Sequence, residues 1–358
     1  MQLTALGWDD ACARAFEALD GGPDVAPARV AIEFNYLYRV WSARGEHDAT
    51  AAGRLKHRAA SRRDLPAVGD WVAVRTRPGH AQGAIVAVLP RRSAFVRKMA
   101  GAVTDEQVVA ANVDVVFIVM GLDPDFNVRR LERYLLLAHE SGAAPVVLLT
   151  KPDVSDDVPA RVAETASVAG STPIHVASPR LGTGLEVVTA YLAPGRTGAL
   201  LGSSGVGKTT IINRLTGEGV RRTREVRESD SRGRHTTSHR ELIVLPNGGL
   251  IIDTPGMREL QLWDVGEAVR ETFDDVEALA AGCHFTDCRH RDEPRCAVKA
   301  AVAAGTVGAA RLESYHKLQD ELLALGRQQD VRAQQEDKRQ ARIVGKAVRK
   351  HIREKRGL

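Results

Sequence analysis

Cysteine is scarce in this chain, with four in 358 residues. Cys12 stands alone, while Cys283, Cys288 and Cys296 fall in one short segment that also holds His290. That placement does not suit a disulfide framework and matches metal-ligand spacing in a reducing compartment. Long apolar runs are missing too. The longest, such as Val113 to Leu122, are too short to span a bilayer, and no positively charged apolar leader opens the chain. The expectation is a cytoplasmic protein with no membrane attachment. Charge of one sign is nearly balanced: 50 Lys and Arg face 45 Asp and Glu, a net +5. The excess gathers at one end, where Lys338, Arg339, Arg342, Lys346, Arg349, Lys350, Arg353, Lys355 and Arg356 are opposed by Glu354 alone. Polyanion binding is to be sought there.

What is present divides the chain into parts. Residues 1–28 hold a short helical stretch, Asp9 to Leu19, then the breakers Gly21-Gly22-Pro23. Residues 29–98 carry short strand-like signals: Val30, Ile32, Phe34 and Tyr36 alternate, and Trp71 to Val74 and Ile85 to Val88 follow. A small β barrel buries such strands without open edges. Its basic pieces, Arg54 to Arg58 and Arg62-Arg63, suit either a nucleic-acid face or simple solvation. From Val113 the pattern becomes strand, loop and helix. Strands are expected at 113–121, 146–149, 174–176, 199–201, 242–245 and 249–252. Helices are expected at 128–141, 158–168 and 185–192. The alternation implies a mostly parallel sheet covered on both faces, with ligands at the carboxyl ends of its strands.

The segment Gly202-Ser203-Ser204-Gly205-Val206-Gly207-Lys208-Thr209 completes the phosphate-loop pattern between a strand and a helix. Its glycines let successive backbone N–H groups face phosphates. Lys208 is expected at the β and γ phosphates and Thr209 at Mg²⁺, with Thr210 next in the contacting set. Asp253-Thr254-Pro255-Gly256 follows an apolar strand; Asp253 suits the Mg²⁺ water shell and the Gly256 N–H the γ-phosphate. Between these motifs, 217–239 is polar and charged, and Thr236 or Thr237 is expected to complete Mg²⁺ coordination, with Thr237 favoured. Together these features specify nucleoside triphosphate hydrolysis.

The base is read at Thr150-Lys151-Pro152-Asp153, directly after a strand. The Asp153 carboxylate can accept from guanine N1–H and its amino group, and the Lys151 stem can cover the ring. At Ala177-Ser178, again a strand end, an N–H from either residue suits guanine O6. Both motifs precede the phosphate loop, the reverse of the usual order. Circular permutation, with Leu185 to Gly198 as the joining piece, leaves the site itself unchanged. Met257 stands where many small GTPases place a water-orienting Gln, so slow hydrolysis is expected from the isolated protein, with His235 or another group positioned on a partner.

Beyond the sheet, Cys283, Cys288 and Cys296 with an imidazole, from His284 or His290, suffice for a closed tetrahedral zinc site. Val298 to Leu325 reads as helical, with Leu312, Tyr315, Leu318 and Leu322 on one side. In the tail, Arg339, Arg342, Lys346, Arg349 and Arg353 form a stripe that suits phosphate backbone or water alike.

The order TKPD, VAS, GSSGVGKT, RGRHTT, DTPG and Cys-x4-Cys-x-His-x5-Cys resembles the ribosome small subunit-dependent GTPase A family. Arg97 to Gly101 and Ala110 to Asp114 are similar to that family's linker, and the likeness covers 29–325. It implies an OB-like barrel at 29–98, a circularly permuted GTPase at 99–273, a zinc-binding helical domain at 274–325 and a basic tail at 326–358. It further implies one structural Zn²⁺ held by Cys283, Cys288, His290 and Cys296. GTP hydrolysis to GDP and phosphate would be stimulated by the small ribosomal subunit, through rRNA contacts, in late assembly of that subunit by a monomeric protein. Lys151, Asp153, Gly202, Gly205, Gly207, Lys208, Thr209, Asp253 and Gly256 carry over directly. Thr150 departs from the usual Asn, and Ala177-Ser178 reverses the usual Ser-Ala order.

Overall fold

The computed structural model describes residues 1–19, 21–34, 36–76, 82–98, 106–217, 240–253 and 272–320. The chain divides into a larger unit, Met1–Gln261 with Glu267–Asp274, and a smaller one, Leu262–Gly266 with Asp275–Leu358.

Five strands open the larger unit: β1 (Val25–Phe34), β2 (Leu37–Ser42), β3 (Gly45–Ala51), β4 (Trp71–Arg75) and β5 (Gln82–Val88). The first three form an antiparallel meander, β3 pairs in parallel with β5, β5 pairs with β4, and β4 returns to β1. A closed ring in the order 1-2-3-5-4 has no free edge and is the OB-type barrel. Val30, Val40, Val72, Val74 and Ile85 fill it. Past a bulge between Val30 and Ile32, β1 stays paired with β2, while on its other edge β4 gives way to a later strand: Ile32 and Glu33 pair with Glu241 and Arg240. One sheet therefore runs from barrel to nucleotide fold.

The strands β6 (Ala94–Lys98) and β7 (Glu106–Ala111) form a two-stranded ribbon. There follow β8 (Val115–Gly121), α3 (Val128–Ser141), β9 (Ala144–Thr150), α4 (Val158–Ala169), β10 (Ile174–Val176), α5 (Glu186–Tyr191), β11 (Thr197–Leu201), β12 (Arg240–Val244) and β13 (Leu250–Asp253). Here α1 (Asp10–Glu17) and α2 (Gly53–Arg58) are the earlier helices, and α6 is the helix over residues 208–217. The sheet order is β10-β9-β8-β11-β13-β12, parallel except for β12. Every residue of β8, Val-Val-Phe-Ile-Val-Met-Gly, is buried, as a strand covered on both faces requires. Helix α3 begins where the Asn127 side chain accepts from the Arg130 N–H and ends at left-handed Gly142; Leu131, Leu135 and Leu136 are its buried face.

The short N-terminal segment, which the sequence left without a role, packs where barrel and sheet meet. Trp8 meets Trp71 edge-on at 4.7 Å, and Asp9 caps α1 while pairing with Arg92 at 2.9 Å. The fully buried Arg29 donates to the carbonyls of Leu6, Gly69 (3.2 Å) and Asn112 (3.3 Å) and to Thr197 Oγ1 (2.8 Å). Burial pulls its pKa down to about 10. One cation thus ties the N-terminal turn, the barrel and the first residue of β11.

In the smaller unit the stretch expected to be helical from Val298 forms two helices. It runs Ala297–Ala303, turns through Gly305 at φ 75°, and resumes over residues 309–320. The apolar spacing continues across the break, but glycine in a left-handed conformation ends the first helix. Residues 321–325 lie outside the described residues.

Candidate nucleotide and metal sites

The parallel pairing of β9, β8, β11 and β13 brings their carboxyl ends to one edge, so Thr150, Gly121, Gly202 and Asp253 end on the same side of the sheet. Gly202 leaves β11 at φ 155°, and a Cβ there would lie 2.3 Å from the Val119 carbonyl oxygen, so no other residue fits the turn. Gly205 and Gly207 are left-handed at φ 78° and 101°. Val206 is buried among Val119, Leu148 and Ile211 and pins the loop to the core. Lys208, at the start of α6, donates to the loop's own Gly202 and Ser203 carbonyls at 2.6 and 2.5 Å. Thr209 and Thr210 are exposed on the first turn.

Thr150 is fully buried and donates to the Val206 carbonyl at 2.7 Å, with Met120 O at 3.3 Å. A hydroxyl has one hydrogen, so the shorter contact takes it. The base motif is therefore fastened to the phosphate loop by the residue that departs from the usual Asn. Lys151 is left-handed at φ 59° and its ammonium pairs with Asp123. Pro152–Val154 makes one 3-10 turn that presents Asp153. That carboxylate lies 2.9 Å from Arg180, and the Ser178 hydroxyl donates to it at 3.4 Å.

The main-chain donors of Ala177 and Ser178 are both engaged within the protein. Ala177 N–H donates to Leu149 O and Ser178 N–H to Thr183 O, each at 2.9 Å. Three residues absent from the sequence reading also join the site. Asp123 and Asp125 lie just after β8, where the position beside the phosphate-loop strand was the available signal. Asp125 accepts from Ser203 Oγ at 2.7 Å and pairs with Arg130 at 2.8 Å. The Ser203 hydroxyl, and then Arg130, hold its carboxyl below the ordinary value. Arg180 is the third. Asp253 closes β13, beside β11. His235, Thr236, Thr237, Gly256, Met257 and the tail 326–358 lie outside the described residues.

In the smaller unit the ligand atoms of Cys283, Cys288, His290 and Cys296 lie within 4.8 Å of one another. Cys283 Sγ is 3.8 Å from Cys296 Sγ, and His290 Nδ1 is 3.5 and 3.4 Å from those two sulfurs. Zinc bound to sulfur at about 2.3 Å and nitrogen at about 2.05 Å sets tetrahedral edges of about 3.8 and 3.6 Å. The donor set and its spacing fit that ion. His284 is not in the cluster. Burial pushes the Cys283 thiol up, but the N–H groups of Val298 and Ala297 outweigh it and hold the pKa below the ordinary value.

A phosphate loop in strand-to-helix context, tied through Thr150 to a guanine motif from earlier strands, defines a circularly permuted P-loop GTPase. The chain is 50% identical to the "Small ribosomal subunit biogenesis GTPase RsgA" of Opitutus terrae, over 98% of this chain and 99% of that protein. It is 42% identical to that of Syntrophotalea carbinolica, over 99% of both. The RsgA GTPase family model matches residues 88–263, and a model described as a 50S ribosome-binding GTPase matches 197–331. The second match begins at β11, as expected if the base motif lies upstream. Among solved structures, YjeQ from Thermotoga maritima superposes with a TM-score of 0.63 at 27% identity, covering 84% of this chain and 99% of that one. YloQ, a circularly permuted GTPase, superposes at 0.62 and 22% identity over 85% of this chain and 97% of that one, a likeness of fold. This chain belongs to the RsgA GTPase family.

Proposed function

We propose that this chain is a GTP phosphohydrolase that acts in late assembly of the small ribosomal subunit, with turnover stimulated by that subunit. Its relatives carry small ribosomal subunit biogenesis in their names. The observation that supports the nucleotide reading best is the Thr150 to Val206 hydrogen bond, which joins the segment that starts Thr150-Lys151-Pro152-Asp153 to the Gly202–Thr209 loop despite their order along the chain.

In this reading guanine takes the Asp153 carboxylate, displacing Arg180, while Lys151 lies along the ring. The O6 contact from Ser178 N–H requires exchange of its bond to Thr183, a local move of the Gly182–Gly184 turn. Lys208 exchanges the Gly202 and Ser203 carbonyls for the β and γ phosphates, and the N–H groups of 203–209 receive their oxygens. Thr209, Thr237 or Thr236, and the Asp253 water shell would hold Mg²⁺, which when bound neutralises charge on the β and γ oxygens. His235 is proposed to orient the attacking water in place of the Gln that Met257 replaces. The four-ligand cluster is proposed to hold structural Zn²⁺. The barrel's basic pieces and the tail stripe are proposed to contact rRNA phosphates. Among the described residues no helix is long and apolar enough to cross a membrane, and we take the protein to act as a cytoplasmic monomer.

Phosphate release with purified small subunits tests the proposal. The expected result is stimulation of about a hundredfold or more, the scale on which a positioned catalytic group acts, with none from large subunits and a loss of stimulation in His235→Ala. Equal turnover with and without small subunits would rule out the enzymatic reading and leave a GTP-controlled scaffold.

A further inference from the structure

His290 is held in a backbone conformation that a histidine rarely adopts. Its φ is 60°, in the left-handed region, where a side chain with a Cβ is disfavoured by roughly 1–2 kcal/mol. The ring is nonetheless buried, with Nδ1 against Cys283 and Cys296. Something must fix the turn, and the apolar content of this segment is too low to do it.

The groups on either side of His290 supply the reason. Arg289 N–H donates to Glu293 Oε1 at 3.0 Å, and Arg291 N–H donates to Glu293 Oε2 at 2.8 Å. A single carboxylate therefore grips the main-chain N–H groups of the two residues that flank the histidine. Both oxygens are occupied by main-chain donors, so the side chain has one orientation, and the turn has one shape. Pro294 follows Glu293 directly, and Arg295, at φ 55°, turns the chain into Cys296. The arrangement closes a loop from one ligand to the next.

We infer that Glu293 is the positioning residue of the metal cluster: it binds no metal but clamps the Arg289–Arg291 turn so that His290 Nδ1 faces the three thiolates. This rests on the zinc reading above. The carboxylate stays ionised well into acid, since the N–H of Arg289 and then its neighbours pull its pKa down to about 2, so the clamp operates wherever the thiols can bind metal. Loss of an outer partner of a metal ligand typically lowers affinity about 10–100-fold.

The test uses the full chain. Zinc affinity is measured by competition with a chromophoric chelator, and the Co²⁺-substituted protein is examined by visible absorption. Glu293→Ala is expected to weaken zinc binding about 10–100-fold and to alter the cobalt ligand-field bands as the imidazole is lost or reoriented; Glu293→Gln, which keeps one strong acceptor, falls between. With metal removed by chelator, wild type and both variants are expected to melt together. If Glu293→Ala aggregates, Glu293→Gln alone carries the same readouts. Wild-type affinity and an unchanged cobalt spectrum in a variant would overturn the inference, as would a variant that is equally destabilised without metal. A wild-type chain that holds no zinc would instead overturn the metal reading on which it rests.

Discussion

Thr150 has one hydrogen to give, and it gives it to the Val206 carbonyl inside a fully buried pocket. Removing that donor while keeping the shape leaves a buried acceptor unsatisfied, at a cost of about 1–3 kcal/mol. Thr150→Val is therefore expected to weaken GDP binding about tenfold in a fluorescent-nucleotide titration, with Thr150→Ser close to wild type. Undiminished affinity in Thr150→Val would separate the base motif from the phosphate loop. The tight strand-to-helix turn at Gly202 was legible in the sequence because glycine answers a local need of that turn, whereas the phosphate contacts expected of Lys208 belong to the proposal. The engagement of the Ala177 and Ser178 N–H groups was not legible, because Leu149 and Thr183 accept from them only after the strands align. Asp125 and Glu293 escaped for a similar reason: each works by accepting hydrogen bonds from a loop, and carboxylates in polar loops look alike until the acceptor is placed.

Strands and helices were readable where periodicity was strong, as in β8 and α3, but the junction between barrel and sheet was not. It depends on two residues of β1 that pair with β12 after a bulge, and the Arg240 to Glu33 bond spans 207 positions. Both side chains are mostly buried and 3.1 Å apart, and Gln107 bonds to each of them. Burial raises the Glu33 pKa above its ordinary 4.5, and Arg240 works against that rise. A raised folded-state pKa means that the group's contribution is fully present below the ordinary value and is lost as pH climbs through the raised one. Without Arg240 the rise is larger. Arg240→Ala is expected to cost about 3 kcal/mol near neutral pH, and the deficit is expected to shrink as pH falls toward 4.5, measured by urea unfolding of the larger unit. A deficit that stays constant with pH would mean that Glu33 is not the group left uncompensated.

At the scale of the molecule, permutation changes which segments are neighbours along the chain and leaves the sheet order intact. The joining piece is packed rather than loose: Val188 and Leu192 are fully buried, and Asn247 donates to the Leu192 carbonyl at 2.9 Å. Motif order was enough to suggest this arrangement from the sequence, since each motif sat at a strand end. The grip of Arg29 on barrel and β11 was hidden, because a lone arginine in a strand reads as a surface residue. The central claim of the proposal is that Asp153 and Lys208, from two motifs joined by the Thr150 to Val206 bond, hold opposite ends of one guanine nucleotide. Competition between GDP and XDP for wild type and Asp153→Asn tests it most directly. An amide can donate to the xanthine oxygen where the carboxylate accepted from the guanine amino group, so the account predicts that Asp153→Asn loses GDP affinity by at least about a hundredfold and gains preference for XDP. Retention of the wild-type preference for GDP in Asp153→Asn would contradict it.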